Sequence, residues 1–97
     1  MSKNNEQRLP PQSIESERAV LGCILIDPKA FPRACQYINQ NSFYKKNHSI
    51  IFSAMEDLDE SEDEIDNITL IEKLKQKKQL DIVGGAYFIT GLSSEAP

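Results

Sequence analysis

Apolar residues in this chain recur every three to four positions and nowhere alternate with a period of two for long enough to argue a strand, and no other feature constrains the fold as tightly. Ala19, Val20, Leu21, Ile24 and Leu25 make one stripe, and Phe31, Ala34, Cys35 and Ile38 a second. Ile51, Phe52, Met55 and Leu58 make a third, Leu70, Ile71 and Leu74 a fourth, and Ala86, Phe88, Ile89 and Leu92 a fifth. Each stripe is the face that a helix buries. The periodicity predicts an all-α fold, a compact cluster of about five short helices. A chain of 97 residues is one domain, long enough to bury roughly 60–65% of its unfolded surface around a single core.

The residues between the stripes punctuate them. Residues 1–12 carry little to bury and are expected to form a flexible tail, with the helical domain spanning 13–97. Leu9-Pro10-Pro11-Gln12 is extended, since proline turns the preceding residue away from the helical region. Ser13 reads as an N-cap, and Glu15 and Glu17 as acids placed to suit the helix dipole. Gly22 sits inside the first stripe at a cost of about 1 kcal/mol and is expected to permit a close helix crossing. Asp27-Pro28 signals a second helix, which Pro32 can delay. Phe43-Tyr44 reads as a short aromatic anchor and Asn47 as the cap of the third helix. Asp59 to Glu64 reads as an acidic loop, and Thr69-Leu70-Ile71-Glu72 as a capping box. Lys73, Lys75, Lys77 and Lys78 suit a helix end. Leu80 to Gly85 reads as a loop with one or two residues at positive φ.

The formal net charge is −4, and its distribution bears on partners. Residues 1–50 carry seven Lys and Arg against four acids, and residues 51–97 carry four against eleven. A phosphate backbone demands a basic face, so strong nucleic-acid binding is not expected and protein is the expected partner. No segment is apolar and long enough for a signal peptide or a membrane span, which points to a cytoplasmic location. Cys23 and Cys35 are too few for a disulfide scaffold and read as small buried packing residues.

The common catalytic constellations are missing from the residues. Gly84-Gly85 has no downstream Lys-Ser/Thr, so there is no phosphate-cradling loop. His48 is the only histidine and reads as a surface or capping residue. With Cys23 and Cys35 it would make an incomplete zinc set lacking the short paired spacings. Asp57, Asp59, Ser61 and Asp63 alternate like a calcium loop, but the sixth and twelfth positions hold Glu62 and Ile68 where glycine and a bidentate Glu are required. The expected site inventory is therefore no catalytic, cofactor-binding or metal-binding residue. The acidic run and the lysine cluster read as solvated surface.

The stretch Pro10-Pro11-Gln12-Ser13-Ile14-Glu15-Ser16-Glu17-Arg18-Ala19-Val20-Leu21-Gly22 resembles the opening of DnaB-type replicative DNA helicases. Three further stretches agree in order and spacing: Phe43-Tyr44 followed by His48 and Ile51-Phe52, then Ile65-Asp66-Asn67-Ile68-Thr69-Leu70, then Leu80-Asp81-Ile82-Val83-Gly84-Gly85-Ala86-Tyr87. Together they extend over residues 9–93. The resemblance implies an orthogonal helical head, the N-terminal part of a collar, with the following hairpin, linker and motor outside the chain. It implies a parent enzyme, a hexameric ring that unwinds duplex DNA at the replication fork using ATP and Mg in a C-terminal domain. The head would be non-catalytic. Its expected partners are other helicase subunits, a primase and a helicase loader, in the cytoplasm at the nucleoid. Three departures stand out: Ser42 where the family often has an acid, the acid-rich 56–64 loop, and Phe88 where tyrosine is frequent.

Two other readings compete with an interaction domain of a helicase: a fragment with chemistry of its own, and a stand-alone helical adaptor or a helicase loader that has borrowed such a head. The missing phosphate loop and acid–base pairs weigh against the first. Tyr87, Phe88 and Leu92 of the last short helix are the expected partner contacts, because the resemblance implies apolar surface there that a collar normally covers.

Overall fold

The computed structural model describes residues 13–94, so the expected tail over 1–12 and the domain end at 95–97 lie outside the described residues. Among the described residues six α-helices and one 3-10 turn follow in order: α1 Ile14–Ile26, α2 Ala30–Cys35, the 3-10 turn Gln40–Ser42, α3 Lys46–Glu60, α4 Asn67–Gln76, α5 Leu80–Val83 and α6 Gly85–Ser94. No strand occurs among the described residues. The expected fold class holds, with α5 as an added helical turn inside the segment read as a loop.

Helix α3 is central and packs against α1, α4, α5 and the 3-10 turn, while α1 and α6 form the most extensive pair. The apolar stripes meet along these contacts. Leu21, Ile24, Phe31, Ile51, Phe52, Met55, Leu70, Leu74, Ile89 and Leu92 are all essentially inaccessible. Each such side chain contributes roughly 1.5–3 kcal/mol of burial. Phe52 anchors the cluster, its ring 5.3 Å from Phe31 and 5.2 Å from Phe43, both tilted by 37°. Such tilted pairs add stability beyond area alone.

Several helix ends differ from expectation. Ser13 precedes α1, but its side chain makes no capping bond. Helix α2 starts at Ala30, so Pro32 falls in the first turn, where its missing N–H costs little. Asn47 lies inside α3 and is not its cap, donating from Nδ2 to the Val83 carbonyl at 3.3 Å instead. The capping box of α4 sits earlier than Thr69–Glu72. Asp66 accepts from the Thr69 N–H at 2.8 Å and Thr69 Oγ1 accepts from the Asp66 N–H at 3.0 Å.

Helices α3 and α4 each end without glycine. Glu62 follows α3 with φ 62°, and Lys78 follows α4 with φ 60°. The Asp63 N–H reaches back to the Leu58 carbonyl, and the Gln79 N–H to that of Leu74, the six-to-one bond of a Schellman cap. The acidic segment is thus mostly a helix end: α3 runs through Asp59 and Glu60 before the turn. Gly84 and Gly85 have φ of 120° and 84°, as expected of the double glycine.

Candidate functional site

The polar residues that the fold draws together lie at the amino end of α3. Glu17 shares the buried face of α1 with Leu21 and Ile24, four and seven residues further on, so the helix carries its carboxylate inward. Phe43, buried against Phe52, fixes the approach of the chain to α3. The N-cap, Lys45, is extended (φ −74°, ψ 129°) and offers no side-chain acceptor. Glu17 supplies one from α1. Its Oε2 accepts from the Tyr44 N–H at 2.6 Å, and its Oε1 accepts from the Lys45 N–H at 3.3 Å. The same Oε1 lies 2.7 Å from Nδ1 of His48. A carboxylate is well placed there, since the helix dipole is positive at that end.

His48 is 1% exposed, not the surface or capping residue its neighbours suggest. A carboxylate only accepts, so Nδ1 carries the proton and Nε2 the lone pair. Nε2 is buried and has no hydrogen-bond partner. Burial pushes the His48 pKa below its ordinary value; the Glu17 hydrogen bond and charge pull it up, and Lys45 and Arg18 push it down. The imidazole face stacks on Phe88 of α6, ring centroids 6.2 Å apart at 16°. The Arg18 guanidinium lies 5.7 Å from the Phe88 centroid, a cation–π contact from α1. Three helices therefore converge on one buried polar cluster. The signal for it in the sequence is positional: Glu17 and His48 each occupy a place on an apolar stripe, His48 four residues before Phe52.

The expected contact residues do not form one surface. Tyr87 is 91% exposed, Phe88 is half-buried, and Leu92 is buried in the core. Leu92 and Ile89 lie on the inward face of α6, so within this chain Leu92 serves the core. Tyr87 and Ile82, the latter 63% exposed, are the large apolar side chains left accessible beside the α5–α6 turn.

The cysteines also depart from expectation. Cys23 is half-buried and Cys35 is exposed. Cys35 ends the six-residue α2, whose Phe31 faces the core. Partial burial, with Glu56 and Asp59 nearby, raises the Cys35 pKa and keeps the thiol protonated. Within the acidic run, Asp57 pairs with Lys77 and Glu56 accepts from Gln40 Nε2 at 3.2 Å, while Asp59, Glu60, Glu62, Asp63 and Glu64 are exposed. A shallow groove of about 230 Å³ lies beside it, lined by Leu58, Ile68, Thr69, Glu72 and Lys73 among others. The Thr69 hydroxyl is already engaged by local backbone. Among the described residues no group of three His, Cys, Asp or Glu is arranged to hold a metal ion. No described helix is long and apolar enough to cross a membrane.

The family model described as the DnaB-like helicase N terminal domain matches residues 9–97. The chain is 35% identical over 97 residues to the replicative DNA helicase DnaB of Geobacillus stearothermophilus, covering all of this chain and 21% of that protein. It is 36% identical over 90 residues to the replicative DNA helicase DnaC of Bacillus subtilis, covering 93% of this chain and 20% of that protein. The chain thus spans about a fifth of the length of these relatives. The crystal structure of the N-terminal domain of DnaB helicase from Mycobacterium tuberculosis superposes with a TM-score of 0.86 at 28% identity, covering 92% of this chain and 64% of that one. On this match of sequence and fold across nearly its whole length, the chain belongs to the DnaB-like helicase N-terminal domain family.

Proposed function

We propose that this chain is the non-catalytic head of a replicative helicase collar, serving assembly of a hexameric ring and contact with a primase at the replication fork. The observation that carries the reading is the family match over residues 9–97 on a matching fold. The relatives are replicative DNA helicases, so unwinding and ATP hydrolysis with Mg belong to a motor domain of the parent. A helicase loader is a further partner of the same reading. The acidic excess of residues 51–97, eleven against four, supports protein over DNA as the direct partner.

The test uses the chain as it stands. Titration with forked DNA at ~150 mM salt is expected to show no sub-micromolar binding, and incubation with ATP and Mg no hydrolysis. Calorimetry against the primase of the same genome is expected to show binding. Tight DNA binding, or turnover of ATP, overturns the interaction-domain reading; silence toward the primase removes the primase contact alone.

A further inference from the structure

We propose that the Glu17–His48 pair is a proton-sensitive latch that seats α6 against α1 and α3 through Phe88. His48 is the sole histidine of the chain, and imidazole is the side chain whose ordinary titration falls between pH 5 and 8. Its ring is held by two contacts. Nδ1 lies 2.7 Å from Glu17 Oε1, and its face stacks on Phe88 at 6.2 Å. Nε2 is enclosed and unpartnered. A proton arriving there creates a buried N–H without an acceptor, and stranding such a donor is costly.

The charged groups around the ring come from two elements. Helix α1 contributes Glu17, which favours the imidazolium, and Arg18, which opposes it; the approach to α3 contributes Lys45, which also opposes it. Helix α6 presents the uncharged Phe88, while its Tyr87 is 91% exposed. Helix α5, packed on α3, carries the exposed Asp81. The cheapest relief for a protonated His48 is to swing Nε2 toward water. That motion gives up the Nδ1 bond and the flat surface beneath Phe88, one of the contacts by which α6 is held to its neighbours. The Phe31–Phe52–Phe43 cluster is held by separate contacts and keeps its packing. Acidification therefore loosens α6 and the first turn of α3 before the rest.

Hydrogen exchange of the full chain, read by NMR at pH 7.5 and 5.0 and corrected for intrinsic chemistry, tests this. Protection at Phe88 to Leu92 is expected to fall by about tenfold more than at Leu70 and Leu74. The loss should share its midpoint with the His48 ring resonances, and His48→Gln should abolish the difference between helices. Uniform loss across all helices, unchanged protection at α6, or the same selective loss in His48→Gln would overturn the latch. If His48→Gln does not fold, the wild-type midpoints decide: coincidence supports the proposal and separation sinks it.

Discussion

Glu17 of α1 closes over the start of α3, its Oε1 2.7 Å from His48 Nδ1 and its Oε2 2.6 Å from the Tyr44 N–H, twenty-seven residues along the chain. One buried carboxylate thus does what a local Ser, Thr or Asp ordinarily does for a helix end. Truncation leaves two backbone donors and the Nδ1 proton without their acceptor. Glu17→Ala is therefore expected to lower stability by more than any single lost hydrogen bond, at about 1–3 kcal/mol for each buried donor left unsatisfied. Urea melts check it, and a loss below about 1 kcal/mol would show that water replaces the carboxylate.

Phe52 touches both Phe31 and Phe43 and is wholly inaccessible. Phe52→Ala is expected to cost roughly 3–5 kcal/mol. Phe52→Leu, which keeps most of the volume, should cost much less, and equal losses would mean that the ring contacts contribute nothing of their own.

The left-handed residues at the two Schellman caps can be relieved. Lys78→Gly and Glu62→Gly are each expected to stabilise the domain by up to about 1 kcal/mol, since a Cβ in that conformation is strained. Gly84 tests the converse. At φ 120°, a Cβ there would meet Phe88 Cβ at 2.9 Å, so Gly84→Ala should cost about 1–3 kcal/mol. Denaturation midpoints of the three variants measure both signs.

Burial lowers the His48 pKa below its ordinary 6.5. The unfolded chain therefore takes up a proton before the folded chain does. Stability from the neutral imidazole is fully present above that ordinary value and declines as pH falls below it. Denaturant midpoints from pH 8 to 5 should fall in the wild type more than in His48→Gln. A wild type that gains stability on acidification would reverse the sign.

Tyr87 is the most exposed large apolar residue among the described residues. A surface this small falls below the ~1,200 Å² of a stable interface, so the chain is expected to be monomeric when dilute and to dimerise weakly when concentrated. Tyr87→Ser should weaken that association without changing stability. Sedimentation equilibrium reads both, and a concentration-independent hexamer would place ring contacts in the head itself.

The helical class, the stripes and most of the core were legible because periodicity is a local property. Leu21, Ile24, Phe52, Met55, Leu58, Leu70, Leu74 and Leu92 are buried where their spacing puts them. The four motif segments pointed to the family for the same reason, since each lies within a short stretch of chain. What spacing could not supply was the meaning of a polar residue on an apolar stripe. Glu17 read as a dipole acid of its own helix, and His48 as surface, because the partner of each lies thirty-one positions away. The ends of α3 and α4 were hidden because Glu62 and Lys78 stand where glycine usually announces the turn. Tertiary structure decided these points, since an unpaired buried carboxylate is prohibitively costly and only the folded chain brings donors to it.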